Sequence, residues 1–495
     1  MRIANCSGFY GDRLSAAAEQ VEGGEIDVLC GDYLAELTMA LLLRDRMSDP
    51  DAGYAKTFLV QLRQVMAACL DRNIRVVANA GGLNPAGLAR AVRALAEELG
   101  LSPRIAWVEG DDVSGRLGGW QKQGDPLSHM DTGAPLASAG GMPVSANAYL
   151  GCWPIAQALD RGADIVITGR CTDAAVVMGA AASGHGWKRE NFDVLAGALV
   201  AGHIIECGTQ ATGGNLSFYD EVPGLDRVGF PIAEIAADGT SVITKHAGTG
   251  GAVTVDSVKA QLLYEIGSPL YISPDVVADF RTVQVTQEDT DRVRVHGTRG
   301  LAPPRTLKVG LNVTAGHRNQ VKVLLGGPDV ADKAERVEQA FWQRVGGRES
   351  FEDARAELIG GTSDPETPTD ALAVLLLSAR SMDKSAVGRR FTAGAVELAL
   401  ASVPGITLLD PPGPPRPCIQ FWPVAVDRER IDVVVHMDET AEPVAAWTPP
   451  APAVAADTRP PGPVTFADHD VVLGELVGTR SGDKAGSVNV GFWVR

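Results

Sequence analysis

The sequence predicts an α/β protein, with a parallel-sheet domain over residues 1–225 and an α+β domain over residues 226–442. First, short apolar β-branched runs alternate with helical stretches throughout the first half. Second, most of these runs lack polar alternation, which is typical of strands that crossover helices cover on both faces. Third, strand-like segments follow one another closely after residue 226, which predicts a domain of another kind.

The first domain is predicted to contain five strands and four helices. The strands are expected at residues 2–6, 26–30, 74–78, 105–108 and 164–168. The helices are expected at residues 34–47, 55–71, 85–98 and 149–161. Asn84 and Pro85 support the start of the third helix, because Asn caps a helix and Pro suits its first position.

The second domain is predicted to open with a hairpin at residues 232–245 that turns at Asp238 and Gly239. Further strands are expected at residues 283–287, 292–296, 306–313, 320–325, 418–424 and 431–436, and helices at 329–345 and 387–402. Residues 443–470 are rich in Pro and Ala and are interpreted as an extended linker. The final segment, 471–495, is too short to fold alone.

The composition argues against several classes of partner. The 495 residues carry 61 acidic and 44 basic side chains, a net charge of −17. Such a surface repels nucleic acid and anionic lipid, so we expect neither as a partner. The chain has no long apolar run and no signal peptide pattern, which favours the cytoplasm. Its seven cysteines lack CxxC spacing, which argues against a disulfide framework and a structural metal site.

Residues at the carboxyl ends of parallel strands are the first candidates for a site, because open α/β sheets bind ligands there. The candidate binding residues are Asn5, Ser7, Asp32, Asn79, Gly81, Gly82 and Arg170. Of these, Asn5, Asp32, Asn79 and Arg170 are expected on one rim. A structural role stays open for any single strand-end residue; Asp173, for example, could cap the helix that follows it.

Arg170 follows the buried run DIVITG, where a guanidinium is costly unless its N–H groups find acceptors. An internal acceptor would be a carboxylate such as Asp173 or Asp32, in a structural ion pair. An external acceptor would be a substrate carboxylate or phosphate, held by two parallel hydrogen bonds. The open, polar loop around Arg170 favours the second interpretation, a substrate clamp.

Two glycine-rich segments follow, HIIECGTQATGGN at 203–215 and KHAGTGGAVT at 245–254. The second precedes a predicted helix at 256–266, so its free backbone N–H groups predict an anion site. The residues assigned to that site are Lys245, Thr249, Gly250 and Gly251. Neither segment is a dinucleotide or ATP fingerprint, and a plain turn between domains is the alternative.

Proton transfer is the chemistry that the remaining candidates suit best. Asp173, His203, Glu206 and His246 are the candidate catalytic residues, because carboxyl and imidazole groups exchange protons near neutral pH. Cys6, Cys30, Cys171 and Cys207 lie at or near strand ends, but buried cysteines are common in protein cores, so a covalent mechanism is not favoured. Metal binding by His203 and Glu206 is not favoured either. We expect no metal and no tightly bound cofactor.

Six segments, read in chain order, carry a family resemblance. They are MRIANCSGFYGDR, DVLCGDYLAELTM, VVANAGGLNP, ADIVITGRCTDAA, HIIECGTQATGGN and RSGDKAGSVNVGFWVR. They resemble the acyclic terpene utilisation (AtuA-type) family, most densely between residues 1 and 255. The resemblance implies a place in the bacterial catabolism of acyclic terpenes through acyl-CoA intermediates. It also implies a C-terminal ferredoxin-like domain, of which residues 471–495 hold only a short, incomplete segment that includes the RSGDK motif.

Residues and resemblance together predict an enzyme that acts on an acyl-CoA or a related carboxylate by acid–base chemistry, as a hydratase, lyase or thioester hydrolase. CoA would enter as part of the substrate. The alternative is a non-catalytic acyl-CoA-binding or scaffold subunit of a catabolic complex. We expect a homo-oligomer, with the ferredoxin-like domain missing or supplied as a separate subunit. The tail could otherwise dock on the main body, or form a hairpin at Gly482 and Asp483 that pairs with another sheet edge.

Overall fold

A computed structural model describes residues 1–362, 366–451, 472–484 and 487–494. The chain divides into two compact units. The first comprises Met1–Ala134, Ser145–Leu311 and Pro423–Arg495, and the second comprises Pro135–Val144 and Asn312–Trp422. The mixed α/β class with a parallel sheet is confirmed, whereas the domain limits drawn from the sequence stay a prediction.

Most predicted helices of the first half are present, with ends shifted by a few residues. The helices are α1 Ala16–Glu22, α2 Glu36–Ser48, α3 Lys56–Asp71, α4 Pro85–Glu98, α5 Leu117–Lys122, α6 Trp153–Asp160, α7 Ala175–His185, α8 Phe192–Ile205, α9 Val255–Leu262, α10 Val330–Val345, α11 Arg389–Val396 and α12 Leu473–Leu476. As predicted, Asn84 caps α4, and its side chain accepts a hydrogen bond from Gly87 N at 2.9 Å. No helix in the described ranges is both long enough and apolar enough to cross a bilayer.

The strands form one large sheet and several smaller ones. They are β1 Arg2–Asn5, β2 Val28–Gly31, β3 Arg75–Gly82, β4 Ile105–Glu109, β5 Pro143–Ala148, β6 Ile165–Gly169, β7 Pro231–Ile235, β8 Ser241–Lys245, β9 Leu270–Ile272, β10 Val277–Asp279, β11 Gln284–Asp289, β12 Arg292–His296, β13 Arg299–Leu301, β14 Thr306–Leu325, β15 Asp353–Gly360, β16 Ala373–Ser381, β17 Ile406–Leu408, β18 Arg416–Asp427, β19 Val434–Met437, β20 Thr440–Pro443, β21 Val477–Lys484 and β22 Ser487–Val494.

The large sheet of the first unit contains the five predicted parallel strands. Its order is β11-β12-β8-β7-β1-β2-β3-β6-β4-β19-β20, and β1, β2, β3, β6 and β4 run parallel. These strands are buried on both faces, as their unbroken apolar runs predict. Their carboxyl ends therefore meet at one edge, where β1, β2, β3 and β6 lead into the candidate residues.

The hairpin predicted at 232–245 is present as β7 and β8, but it lies in the large sheet. The sequence analysis places these strands in a second domain, whereas β7 pairs antiparallel with β1, and Ile3 lies opposite Ala233. At the other edge β19, also expected in the second domain, pairs antiparallel with β4. Both additions cover an edge strand that would otherwise expose unpaired backbone groups.

The second unit is built on an antiparallel sheet that follows the order β15-β16-β14-β17. Helices α10 and α11 supply Phe341, Trp342 and Phe391 to its core. The sequence predicts two strands at 306–313 and 320–325, but β14 is continuous. Pairing with β16 begins at His317, opposite Ser381, and holds the backbone extended through residues that the prediction leaves between two strands.

The C-terminal segment forms the hairpin β21–β22, a two-stranded sheet of its own. It docks on the first unit, where Trp493 Nε1 donates to Asp256 Oδ1 at 2.9 Å beside α9. Within the described residues this hairpin pairs with no other sheet edge of the chain, whereas pairing with another subunit stays a prediction. Strand β21 continues past the turn predicted at Gly482 and Asp483. Most of the predicted linker, residues 452–470, lies outside the described residues, and the ferredoxin-like assignment stays an expectation.

Candidate functional site

A cavity of about 510 Å³ opens where β1, β2 and β6 end, in the first unit. We call it the acidic cavity, because carboxyl groups dominate its wall. Its lining residues are Gly8, Phe9, Asp12, Asp32, Leu34, Ala35, Glu36, Leu37, Arg170, Asp173, Glu206, Cys207, Thr209, Gln210, Asn215, Tyr264 and Glu265. Four of the sequence candidates, Asp32, Arg170, Asp173 and Glu206, thus lie on one cavity.

Asp32 is fixed at the end of β2 by hydrogen bonds to one of its two carboxyl oxygens. Asn79 Nδ2 donates to Asp32 Oδ1 at 2.5 Å, and Leu34 N donates to the same atom at 3.1 Å. The second oxygen, Oδ2, accepts no hydrogen bond within the described residues. Asp32 is only 5% exposed, so the cavity is where Oδ2 can meet a ligand.

The surroundings of Asp32 favour its protonated form. Burial raises the pKa of this carboxyl well above its usual range, and the negative charge of Asp173 raises it further. Arg170 and the hydrogen bond from Asn79 act in the opposite direction. Asp32 therefore has the character of a buried acid that keeps its proton under conditions that ionise ordinary carboxyls.

Arg170 is held by acceptors of the protein itself. Its Nη1 donates to Asp173 Oδ1 at 2.9 Å and to Leu34 O at 3.2 Å, and its Cζ lies 4.2 Å from the centroid of the Tyr149 ring. The side chain is 2% exposed. The sequence analysis favours a substrate clamp, whereas the structure supplies the internal acceptors and favours a structural brace that neutralises Asp173.

Glu36 is a wall residue that the candidate set misses, although it follows β2 closely in the sequence. Tyr149 Oη donates to Glu36 Oε1 at 2.7 Å, and Lys308 Nζ lies 3.7 Å from the same oxygen. Arg170 Nη2 lies 4.0 Å from it. No local pattern identifies Lys308, because it reaches the site from β14, far along the chain.

Glu206 and His203 form a buried pair at the end of α8. His203 Nδ1 lies 3.3 Å from Glu206 Oε1, and the two side chains are 1% and 3% exposed. The imidazole packs against the rings of Tyr271 and Phe280, with centroids 5.0 and 5.7 Å away. Glu206 lines the acidic cavity, whereas His203 is not among its lining residues.

The lining of the acidic cavity does not include five predicted binding residues, Asn5, Ser7, Asn79, Gly81 and Gly82. Asn5 and Asn79 instead hydrogen-bond to residues of its wall. Asn5 Nδ2 donates to Glu206 O at 3.3 Å, and its Oδ1 accepts from Ser7 N. Asn79 Oδ1 accepts from Tyr33 N at 2.7 Å. A Cβ on Gly81 would lie 2.5 Å from Thr168 O, so this glycine lets β3 approach β6 closely.

The second glycine-rich segment does not line the acidic cavity. Lys245 Nζ lies 3.0 Å from Asp291 Oδ2 and donates to Thr249 O. His246 Nε2 lies 2.8 Å from Gln20 O. His246 is not among the residues that line the acidic cavity with Asp173 and Glu206. Gly250 and Gly251 lie against backbone carbonyls of Gly224 and Thr212. These contacts indicate a structural turn, where the sequence predicts an anion site and a catalytic histidine.

Replacement of Lys245 by Ala is therefore expected to lower stability. The lysine side chain is 4% exposed and that of Asp291 is 29% exposed, so the loss leaves a half-buried carboxylate without its cation. We expect a loss of about 1–3 kcal/mol in the free energy of unfolding, measured by urea titration. The double variant Lys245→Ala, Asp291→Asn should recover part of it. Unchanged stability together with weaker phosphate binding would restore the anion-site interpretation.

The cysteines near the strand ends are poor nucleophiles. Burial raises the pKa of Cys6 and of Cys171 to about 12. Burial also raises the pKa of Cys207, the cysteine on the cavity wall, well above its usual value, and the charge of Glu206 adds to the effect. Because the thiolate is the reactive form, these thiols do not support covalent catalysis.

Asp111 follows β4 and holds the backbone beneath Arg170. Its Oδ2 accepts hydrogen bonds from Arg170 N at 2.8 Å and from Asn147 Nδ2 at 2.9 Å. Burial raises the pKa of this carboxyl to about 7, and these hydrogen bonds oppose the shift only in part. Asp111 therefore changes its protonation state near neutral pH while it is hydrogen-bonded to the backbone of Arg170, a residue of the cavity wall.

This carboxyl predicts a pH-dependent stability. Its folded-state pKa, about 7, lies above the usual value of 3.8, so its contribution is full below pH 4 and is lost as the pH rises through 7. The slope approaches about 1.4 kcal/mol per pH unit between the two values. Asp111→Asn removes this contribution, and one amide oxygen can accept both hydrogen bonds. Urea titrations of both proteins from pH 4 to pH 8 should differ in slope, and parallel curves would contradict the assignment.

The C-terminal hairpin supports the rim of the acidic cavity. Arg480, on β21, donates to Asn215 O at 2.9 Å and to Gln210 Oε1, and its Cζ lies 4.7 Å from the centroid of the Tyr264 ring. On β22, Asn489 Oδ1 accepts from Glu265 N at 2.9 Å. Gln210, Asn215, Tyr264 and Glu265 all line the cavity. Arg480, the first residue of the RSGDK motif, thus holds two residues of the cavity wall in place by hydrogen bonds.

Comparisons with known proteins place the chain in a family. The family model described as Acyclic terpene utilisation family protein AtuA matches residues 1–437. No curated protein and no solved structure matches the chain. Across the described residues, no group of three or more His, Cys, Asp or Glu side chains is placed to hold a metal ion.

Proposed function

The chain belongs to the acyclic terpene utilisation family AtuA, and from that premise we propose that its acidic cavity catalyses proton transfer on the acyl part of an acyl-CoA. Membership of the family implies a role in acyclic terpene utilisation. The observation that carries the proposal is the pairing of two unlike carboxyls on one wall. Asp32 is buried with a raised pKa, and the charges of its wall neighbours Asp173 and Glu206 both help to raise it. Unlike environments for two carboxyls are how proteins separate an acid from a base.

The size and charge of the cavity favour a neutral acyl group. Its volume of about 510 Å³ lies within the range of small-molecule sites, roughly 300–1,000 Å³. Six carboxyl groups line it against the single guanidinium of Arg170. A phosphate or a free carboxylate inside would meet like charges. The thioester and acyl chain therefore fit the cavity better than a free acid does, and the phosphates of CoA belong outside it.

A hydratase or lyase reaction uses these groups most directly. In the hydration of an unsaturated thioester, a carboxylate takes a proton from water while the water oxygen bonds to the β-carbon. The neutral carboxyl of Asp32 then gives its proton to the α-carbon. Proton exchange with solvent restores both groups, and the reverse sequence removes water. No cofactor other than the CoA of the substrate is needed.

Glu206 is the best candidate for the carboxylate that activates water. It lines the cavity, while Asp173 is held by Arg170 at 2.9 Å. His203 Nδ1, 3.3 Å from Glu206 Oε1, is the candidate acceptor for the proton that Glu206 removes, because imidazole exchanges protons near neutral pH. His246 has no part in this proposal, because it contacts Gln20 instead.

Purified protein should be tested against unsaturated, 3-hydroxy and saturated acyl-CoAs with branched, isoprenoid-like chains. Reversible hydration, with one solvent deuterium entering the α-carbon, would support the proposal. Release of free CoA would instead indicate a thioester hydrolase. Saturable binding without turnover would favour a non-catalytic acyl-CoA-binding or scaffold subunit. In that case Arg170, Glu36 and Tyr149, which contact one another, would only shape the cavity. Neither binding nor turnover would reject the assignment of the cavity.

A further inference from the structure

A second cavity of the first unit, of about 290 Å³, has a different chemical character from the acidic cavity. Its wall includes Trp153, Arg189, Asp275, Arg428 and Trp447, and we call it the two-arginine cavity. It adjoins the backbone of the first site, since Leu150, on its wall, donates from N to Arg170 O at 3.3 Å.

The two guanidinium groups lie against indole rings. Arg189 Cζ is 5.3 Å from the centroid of the Trp153 ring and 5.7 Å from that of Trp447. Arg428 Cζ is also 5.7 Å from the centroid of the Trp447 ring. Both cations therefore flank one indole, at distances typical of cation–π contacts.

Neither guanidinium has a carboxylate partner in the described parts of the chain. Arg428 Nη2 donates to Pro274 O and Pro304 O at 2.8 and 2.7 Å, and Arg189 Nη2 donates to Ala445 O at 3.1 Å. Arg428 Nε and Trp153 Nε1 are buried without an acceptor. Elsewhere in this acidic protein arginines commonly form ion pairs, as Arg430 does with Asp125 at 2.6 Å.

Two other carboxyls of the wall, Glu429 and Asp432, are exposed, and Asp432 Oδ2 lies 3.0 Å from Arg116 Nη2. Within the described residues, the buried carboxyl whose charge acts on both guanidinium groups is Asp275. Its Oδ2 accepts a hydrogen bond from Cys152 N at 2.8 Å, and burial raises its pKa. Burial lowers the pKa of Arg189 and of Arg428, and the charge of Arg189 lowers that of Arg428 further. The two partly buried cations thus have one buried carboxyl in common, and that carboxyl itself resists ionisation, while the charge of Glu190 acts on Arg189 as well. A further anion between the two guanidinium groups would offset the cost of burying them.

We propose that the two-arginine cavity binds a phosphate-class oxyanion between Arg189 and Arg428. A phosphate dianion matches two guanidinium charges, whereas a single carboxylate leaves one of them uncompensated. The adjoining indole faces suit a flat or apolar group attached to that phosphate. The ligand is either free phosphate or the phosphoryl end of a larger molecule such as CoA. The inference does not rest on the reaction proposed for the acidic cavity.

Calorimetric titration of the full chain with inorganic phosphate, pyrophosphate and CoA, at low and at high salt, tests this proposal. We expect saturable binding that weakens with salt, because the attraction is between charges. In Arg189→Gln the affinity should fall roughly tenfold or more, the scale of a lost charged hydrogen bond. Arg189 is the better first target, because Arg428 also anchors two backbone carbonyls and its loss could disturb folding.

Arg430→Gln is the matched control. Arg430 Cζ lies 4.4 Å from the centroid of the Trp120 ring, in the same kind of contact, but the guanidinium pairs with Asp125 and does not line the cavity. Phosphate affinity should be unchanged in this variant. Tighter binding of CoA than of phosphate, lost in Arg189→Gln, would identify a phosphoryl carrier, and equal binding would identify free phosphate. No binding, binding of acetate alone, or equal loss in Arg430→Gln would overturn the proposal.

Discussion

Replacement of Asp32 by Asn is expected to remove most of the turnover while leaving the protein at least as stable as the wild type at neutral and alkaline pH. Asn cannot give up a proton as a carboxyl does, and loss of a general acid typically costs about 10²–10⁴-fold in rate. Both hydrogen bonds to the Asp32 side chain reach Oδ1, so an amide oxygen can accept them. The amide nitrogen then takes the place of Oδ2 on the cavity wall.

The stability part of this prediction follows from the direction of the pKa shift. The folded state raises the pKa of Asp32, so the carboxyl stabilises the fold only while it is protonated, and that contribution is lost as the pH rises through the raised value. Because Asn is neutral at every pH, the variant does not lose stability at this position as the pH rises. Thermal melts at several pH values and initial rates on the best acyl-CoA would measure the two effects.

Asp111→Asn is the matched control for Asp32→Asn. Asp111 is also buried, has a raised pKa and accepts two hydrogen bonds at one oxygen, but it does not line the acidic cavity. It should change the pH dependence of stability and keep most of the activity. A fully active Asp32→Asn would exclude this residue as the proton donor. A large fall in melting temperature would show that its negative charge is required for folding.

Replacement of Arg170 by Met is expected to destabilise the protein by about 3–5 kcal/mol, the usual cost of removing one partner of a buried ion pair. The change leaves Asp173 without the donor 2.9 Å away and removes a positive charge close to Glu36. In Arg170→Lys the charge is kept, but the lysine lacks the planar guanidinium that donates to both Asp173 and Leu34. We therefore expect an intermediate loss in the free energy of unfolding. Urea titration would give both free energies of unfolding.

The double variant Arg170→Met, Asp173→Asn separates the ion pair from packing. If the unpaired carboxylate causes most of the loss, the double variant should be more stable than Arg170→Met alone. A substrate clamp would behave differently. It would leave the melting temperature of Arg170→Lys near that of the wild type and weaken ligand binding by about 1–3 kcal/mol. That result would revive the clamp interpretation.

The sequence predicts the parallel core well because its elements depend on local patterns. The apolar runs of β1, β2 and β6 and the cap at Asn84 are readable within a few residues, and their order along the chain implies a shared carboxyl edge. That edge brings Asp32 and Arg170 to one cavity. The same reasoning could not assign the hairpin β7–β8 to the large sheet, because its partner β1 is more than 200 residues away.

The two interpretations that the observed contacts argue against, an anion site at Lys245 and a substrate clamp at Arg170, have a common physical origin. Lys245 beside glycines is typical of an anion site, but Asp291, which compensates its charge, follows 46 residues later with no marked pattern. Arg170 in an open loop suggests a free guanidinium until Leu34 and Tyr149 are placed against it. A residue type and its neighbours predict what a side chain can bind, whereas its actual partner depends on tertiary contacts.

The support that the C-terminal hairpin gives to the cavity rim has a consequence for the order of synthesis. Arg480 follows Gln210, its partner on the wall, by 270 residues. The strands that carry Asp32 and Arg170 leave the ribosome long before β21 does, and domains can fold as they emerge. A nascent chain shorter than this hairpin therefore carries the carboxyl cluster with one side of its rim unsupported, and the rim is completed only after the hairpin has emerged and docked.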